Sequence, residues 1–376
     1  MASTAADGDR KKRVLIACGG TGGHLFPGIA IAEALRARGH AVILLISEKE
    51  IDALASEGYG HLEFRTVPSV GMGRMLSIQT VRFLLNSWRA YRQCRKLIVE
   101  FGADRVLGMG GFTSTPPVAA GRRLGCATFV HESNAIPGKA NRLTARFCNV
   151  VLAGNEECAR SFPDRTTRVV GTPVRDALRG EIDQGEALAR FGLVQGARTL
   201  LVMGGSQGAQ GVNRLVCESL EQLEQLAGIQ VVHIAGPGDF EQVARAYEAA
   251  KIPSKVVDFL HQMQFAYAIA DLAIARSGGS SLAELAFFGI PSILIPYPFA
   301  AEDHQRRNAE VFERAEAAVL VDEKDLTGPA LGKTVGDLFE DSTRLEKLAA
   351  GAAKLATADA AERICDAIEE GYGTRT

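Results

Sequence analysis

The chain alternates short apolar runs with glycine-rich turns and amphipathic stretches. Arg13–Cys18 (RVLIAC) is apolar after its first residue, as a strand buried on both faces of a parallel sheet must be. Gly19–His24 (GGTGGH) follows. Pro27–Arg38 then has a helical period, with Pro27 suited to the first turn and Gly39 to the stop. Further strands are predicted at Ala41–Ser47, Arg105–Gly108, Ala127–His131 and Val150–Ala153. A second series begins with a strand at Thr199–Met203, a glycine loop at Gly204–Gly211 (GGSQGAQG) and a helix over Gly211–Leu226. Strands at Val231–Ala235, Val256–Phe259, Leu272–Ala275 and Ser292–Pro296 continue it, with a helix over Leu282–Gly289. Such alternation builds parallel sheets with right-handed crossovers. One α/β architecture, a doubly wound parallel sheet, thus occurs twice, as topology and not as repeated sequence.

A length of 376 residues also argues for two domains. The boundary is expected at Gly171–Arg175 (GTPVR), before the polar stretch Arg179–Glu186. That gives domains 1–175 and 176–357, with the Ala-rich tail 358–376 packing back on the first. Hydrophobic residues at 47% and charged residues at 23% are ordinary globular values. The net charge of −2 excludes a polyanion binder overall. Seven scattered cysteines, with no CxxC pair, fit reduced thiols better than a disulfide framework or a zinc cluster. No signal-type segment and no run of about 18 apolar residues is present, so membrane contact is expected to be peripheral.

Candidate chemistry lies in the loops that follow strands. In GGTGGH, glycines let backbone N–H groups approach a ligand, and a helix N-terminus beyond favours an anion. His24 at the loop's end is either a general base or a cap. Glu48 is only a loose candidate for a ribose-binding acid. GGSQGAQG offers the same chemistry in the second half, with Ser206 as a phosphate donor. Ligands bind at the carboxyl ends of strands in such units, so the two loops can face one cleft. Arg276–Glu284 (RSGGSSLAE) is rich in small donors and fits a diphosphate cradle. Glu284 either accepts from ribose hydroxyls or answers the helix dipole. Pro296–Asn308 (PYPFAAEDHQRRN) carries Asp303, His304, Gln305 and Asn308, which can read sugar hydroxyls. Gly108–Thr115 (GMGGFTST) and His131–Gly138 (HESNAIPG) follow strands of the first half, with Glu132 and Asn134 expected to face the same cleft as His24.

Local charge changes the picture in one place. Phe64–Val99 holds seven basic residues (Arg65, Arg74, Arg82, Arg89, Arg92, Arg95, Lys96) and no acidic one. They are interleaved with Met72, Met75, Leu76, Phe83, Trp88 and Tyr91, among other apolar residues. Arg82, Arg89 and Lys96 share one helical stripe. Such a surface suits anionic phospholipid heads or a pyrophosphate, and otherwise is an ordinary solvated helix. No nucleic-acid reader accompanies it.

Taken in order, GGTGGHLFPGIAIAEAL, GMGGFTSTPP, HESNAIPGKANR, GTPVR, GGSQGAQGVN, RSGGSSLAE and PYPFAAEDHQRRNA resemble the MurG family from about Val14 to the C-terminal helix. The resemblance implies a GT-B fold, two Rossmann-like domains facing a cleft. It implies an acceptor, membrane-facing domain followed by a UDP-N-acetylglucosamine donor domain. The implied partners are UDP-GlcNAc, the acceptor undecaprenyl-pyrophosphoryl-MurNAc-pentapeptide (lipid I) and an anionic membrane surface, with no nucleic acid. The implied location is the cytoplasmic face of the bacterial inner membrane. It also implies that Thr21, Gly22 and Gly23 approach the donor sugar and phosphate. Asn134 binds near the sugar, Arg175 and the Leu260 backbone flank the uracil, and Ser206 holds the diphosphate. Gly279, Ser280 and Ser281 serve phosphate and sugar, Glu284 the ribose, Gln305 the sugar hydroxyls, and His24 is the candidate base. HESN replaces the usual HEQN, Gln210 stands where many members have arginine, and RSGGSS lacks the bulkier residues of other members. The last change makes those contacts largely backbone.

The mechanism so implied is an inverting displacement giving β-1,4-linked lipid II, with His24, Asn134 and Glu284 central, and no cofactor. The only DxD sequence is Asp7–Asp9 in the tail, so no metal is expected for chemistry. Alternatives are another GT-B lipid glycosyltransferase, a UDP-GlcNAc epimerase, a non-catalytic nucleotide-sugar-binding protein and, furthest, a nicotinamide oxidoreductase.

Overall fold

The structure, a computed structural model, describes residues 11–19, 22–47, 58–67, 78–205, 208–370 and 372; for 78–84 it gives the backbone alone. Asp7–Asp9, Thr21, Glu48, Met72, Arg74, Met75, Leu76 and Ser206 lie outside the described residues. The chain divides into two compact units, one running to Asp176 and resuming at Thr357, the other Ala177–Ala356.

The first unit holds a seven-stranded parallel sheet. Its strands are β1 (Arg13–Ala17), β2 (Ala41–Ser47), β3 (Phe64–Val67), β4 (Arg105–Gly108), β5 (Ala127–Glu132), β6 (Val150–Ala153) and β7 (Thr167–Val169), in the order β3-β2-β1-β4-β5-β6-β7. Val14 and Ile16 of β1 point into a core formed with Leu44, Leu107 and Phe129, covered by the helix Gly22–Ala37. Leu15 and Ala17 point the other way, to Ile43, Val106, Val118 and the helix Ile78–Phe101, which contributes Cys94 and Ile98. Alternation on β1 thus supplies both layers.

The tail completes this unit. The helix Ala360–Glu369 sends Ile364, Cys365 and Ile368 into the same core as Val14 and Ile16. Burying each isoleucine stabilises the unit by about 1.5–3 kcal/mol. Arg38 bonds Asp366 and Glu369, and the buried Arg105 Nε donates to the Ile368 carbonyl at 2.9 Å.

The second unit holds a six-stranded parallel sheet: β8 (Arg198–Met203), β9 (Ile229–Ile234), β10 (Ser254–Val257), β11 (Leu272–Ala275), β12 (Ser292–Leu294) and β13 (Ala318–Leu320). Its order is β10-β9-β8-β11-β12-β13. Both sheets therefore reverse direction between the first strand and the fourth.

Several boundaries differ from the sequence reading. The helix expected from Pro27 begins at Gly22, so the buried Pro27 lies in its second turn. A proline there forfeits one intrahelical bond near the helix start and leaves the rest of the ladder intact. The helix expected from Leu282 begins at Gly279, after Gly278 in an extended conformation. The stretch 211–226 is two helices, Gln210–Glu218 and Leu220–Glu224, parted at Ser219, whose hydroxyl bonds back to the Val216 carbonyl at 2.7 Å. β10 sits two residues earlier than expected, and β3, β7 and β13 were not among the expected strands.

The junction at 171 is tight. Gly171 has φ +83°, and a Cβ there would stand 2.4 Å from Cβ of Thr357. Gly171→Ala is expected to destabilise the first unit by about 2–4 kcal/mol, a left-handed penalty plus overpacking. Urea titration followed by circular dichroism checks this.

Candidate functional site

In the first unit the crevice lies where β1 and β4 adjoin. His24 is the third residue of the helix Gly22–Ala37, and not a loop residue as the sequence suggested. Helix starts present N–H groups that the helix itself does not use, and these favour an anion or an oxygen. The half-buried His24 ring lies against Gly110 and Gly111, which follow β4. A Cβ on Gly110, which has φ +122°, would stand 2.7 Å from His24 Nε2, so this loop must be glycine for the imidazole to lie there. The loop is tied to β1: the Thr113 hydroxyl donates to the Gly19 carbonyl at 2.7 Å, and Ser114 Oγ accepts from the Gly110 N–H at 3.1 Å.

The next loop, HESNAIPG, is organised around a carboxylate. Glu132 is 4% exposed and accepts from the Asn134 N–H (3.0 Å), Asn134 Nδ2 (2.7 Å), the Gly138 N–H (3.1 Å) and Asn141 Nδ2 (2.9 Å). Burial raises its pKa, and those bonds oppose the rise. Glu132 is therefore engaged by its own loop and by the helix that follows it. Asn134 is half-buried, its amide nitrogen engaged with Glu132. His131 is fully buried, with Nε2 2.9 Å from the Gly171 carbonyl. Arg175 is 5% exposed and its guanidinium lies 4.0 Å from the centre of the Phe26 ring, a cation–π stack.

In the second unit β8 and β11 adjoin, so the segments that follow them leave from neighbouring strand ends. Gly279, Ser280 and Ser281 are the first three helical residues, all half-buried. Glu284, one turn on, is buried, and the Tyr267 hydroxyl donates to its Oε2 at 2.7 Å. Arg276 anchors the segment: Nη1 donates to the Ile295 and Pro296 carbonyls at 3.0 Å, and Nη2 lies 2.7 Å from Glu323. Gln305 is half-buried; its Oε1 accepts from the Tyr297 N–H at 2.9 Å and its carbonyl from Ser277 Oγ at 2.7 Å. Asn308 Nδ2 donates to the Ser277 carbonyl at 2.9 Å, so it too holds the loop. Leu260 is half-buried after β10. Behind the glycine loop, Asn213 Nδ2 donates to the Ala235 carbonyl (2.8 Å) and Asp239 (2.7 Å), and its Oδ1 lies 3.0 Å from His233 Nε2.

Most of each unit matches a known domain by sequence. Residues 14–153 match the glycosyltransferase family 28 N-terminal domain, and 199–364 its C-terminal domain. The chain belongs to glycosyltransferase family 28. Within that family it is similar to the UDP-N-acetylglucosamine–N-acetylmuramyl-(pentapeptide) pyrophosphoryl-undecaprenol N-acetylglucosamine transferase of Geotalea daltonii. The two are 38% identical over 360 residues, 94% of this chain and 96% of the relative. The transferase of the same name from Geobacter metallireducens is 38% identical over 94% of this chain and 97% of its own. The crystal structure of Acinetobacter baumannii MurG superposes with a TM-score of 0.72 over 95% of this chain and 99% of its own, at 24% identity, a likeness of fold.

Some residues of this family 28 site carry no local signal. Tyr267 sits in an apolar helical stretch and reads as core; only its contact with Glu284 singles it out. The structure brings His24 beside the Gly110 loop, and Glu284 beside Tyr267. Thr21 and Ser206 are not placed.

The buried histidines link the site to pH. Burial, together with the nearby His24, lowers the pKa of His131 from 6.5 to about 4, against the Gly171 bond; burial takes His233 to about 3. The unfolded chain then holds these protons more tightly. Each histidine contributes stability that is complete above its unfolded pKa near 6.5 and falls away as the pH drops towards the folded value, by about 1.4 kcal/mol per unit. His131→Gln is expected to flatten the dependence of unfolding free energy on pH between 6.5 and 4. Denaturant titrations at stepped pH measure it.

Proposed function

We propose that this protein transfers N-acetylglucosamine from UDP-GlcNAc to the 4-hydroxyl of the MurNAc in lipid I, giving lipid II for peptidoglycan synthesis. The observation that carries this is the full-length similarity to transferases of that name, spanning both units. The placement of helix starts and glycine loops at both strand-order reversals supports it.

The reaction is a single inverting displacement. The acceptor oxygen forms a bond to the anomeric carbon as that carbon's bond to the β-phosphate oxygen breaks. UDP leaves with the electron pair, and the acceptor proton passes to His24, a role worth about 10²–10⁴-fold. His24 suits this because its ring is steadied by Gly110 and Gly111 and stands at a helix start. Thr21, Gly22, Gly23 and Asn134 approach the donor sugar and phosphate from the first unit. In the second, the helix start at Gly279–Ser281 and Ser206 meet the charge that develops on UDP. Glu284 accepts from the ribose hydroxyls, Gln305 reads the sugar, and the Leu260 backbone flanks the uracil.

Peripheral attachment to the cytoplasmic face of the inner membrane completes the reading. No helix among the described residues is long and apolar enough to cross a membrane. The helix Ile78–Phe101 exposes Leu85 (50%), Trp88 (55%) and Val99 (63%) beside exposed Arg89, Arg92, Arg95 and Lys96, and Arg92 stacks on Trp88 at 4.8 Å. Apolar anchors within a basic field suit anionic lipid heads.

Purified protein, radiolabelled UDP-GlcNAc and a short-chain lipid I analogue are expected to yield labelled disaccharide lipid. Glu284→Ala and His24→Ala should each lose most of it. Donor binding without transfer to any lipid acceptor would make the protein a nucleotide-sugar binder instead. Gly110→Ala, which must displace the His24 ring, is expected to slow turnover about 10²-fold. Calorimetric titration with UDP should show that variant's nucleotide affinity unchanged.

A further inference from the structure

Glu284 has three side-chain torsions and two oxygens, so a carboxylate at that place does not by itself define a direction of acceptance. The structure supplies the missing constraint. Tyr267 is 2% exposed, on the helix Met263–Ile269, with its ring packed against Phe288 (centroids 5.1 Å apart, planes at 32°). Its position is therefore set by apolar packing and not by the bond it makes. Its hydroxyl is 2.7 Å from Glu284 Oε2 and 3.8 Å from Met203 Sδ. A thioether is a weak acceptor and a carboxylate a strong one, so the hydroxyl proton goes to Glu284. Met203 is the last residue of β8 and leads into the glycine loop. The hydroxyl thus joins the strand end, its own helix and the helix that carries Glu284.

We propose that Tyr267 is a positioning residue for ribose recognition. By bonding Oε2 of Glu284 it restricts the swing of the carboxylate, so that Glu284 meets the ribose hydroxyls of the donor in one orientation. Tyr267 itself touches neither the nucleotide nor the reacting atoms. Discrimination between a ribonucleotide and a 2′-deoxyribonucleotide donor then depends on a phenol that never reaches the sugar. A site that pairs a substrate hydroxyl with a fixed polar partner rejects an analogue lacking it; a site whose partner swings does so less. This inference rests on Glu284 being the ribose-binding carboxylate of the proposed transferase.

The test uses the full-length protein, the lipid I analogue and two donors, UDP-GlcNAc and its 2′-deoxyuridine counterpart. Tyr267→Phe removes one oxygen and keeps the ring against Phe288, so the packing survives; circular dichroism confirms it. In this variant KM for UDP-GlcNAc is expected to rise about tenfold, the scale of one charge-assisted hydrogen bond. The kcat should stay within about twofold, because the bond is not made to the reacting atoms. KM for the deoxy donor should change less than about twofold, so that the preference for ribose falls about tenfold. Equal losses with both donors would reduce Tyr267 to a packing residue and overturn the proposal, as would an unchanged preference. Glu284→Gln runs beside it to separate the two readings. If Glu284→Gln loses the ribose preference while Tyr267→Phe keeps it, the Tyr267 proposal fails and the site assignment stands. If Glu284→Gln keeps the preference, the assignment of Glu284 itself is wrong and the proposal falls with it.

Discussion

The two crevices exist because the chain leaves adjacent strands in opposite directions. From β1 it passes to the helix Gly22–Ala37, whose Leu25, Ile29 and Leu35 cover the face carrying Ile16 and Leu44. From the neighbouring β4 it passes to the helix Thr115–Arg123, whose Val118 and Ala120 cover the face carrying Leu15 and Val106. The two connections therefore part as they leave the sheet. A helix start at such a place favours oxygen-rich, negatively charged ligands. The same strand order recurs in the second unit, where the helix beginning at Gly279 follows β11, the neighbour of β8.

A crevice of this kind is useful only if its walls stay still, and here buried polar groups keep them so. Glu132 gathers three donors from its own loop and one from the helix after it, and Arg276 ties its segment to two carbonyls and a carboxylate. Asn213 joins the helix after the glycine loop to the end of β9 and to Asp239. Such groups are costly to leave unsatisfied in a low-dielectric interior, so each network tolerates one arrangement of its loop. The apolar cores hold the sheets together, and the polar networks hold the ligand-facing segments to them.

How far this could be read from the sequence follows from the same division. β1, β2, β4, β6 and β11 are apolar apart from at most an end residue and were legible to within a residue. β3 and β7 are short and largely exposed or half-buried, with polar residues inside them, and β13 is only three residues long, so these strands were not read. The helices at Gly22 and Gly279 were read as starting late because glycine and serine are poor helix formers, and packing overrode that preference. This mattered most for the site: His24 and Ser280 proved to be first-turn residues and not loop residues. Glu132 was legible as polar chemistry, but its direction was not, since only the fold reveals that its partners are Asn134, Gly138 and Asn141. Tyr267 was invisible, because a buried phenol in an apolar helix differs from a core aromatic only through what its oxygen touches.

The return of the tail also has a temporal consequence. Ile364, Cys365 and Ile368 belong to the same core as Val14 and Ile16, so the amino-terminal sheet cannot close one of its layers until the last helix has been made. The intervening unit, Ala177–Ala356, is one continuous segment with its own core. As the chain emerges from the ribosome, the part synthesised second is therefore the first able to fold completely, while the part synthesised first waits with an uncovered apolar layer, a natural client for a chaperone.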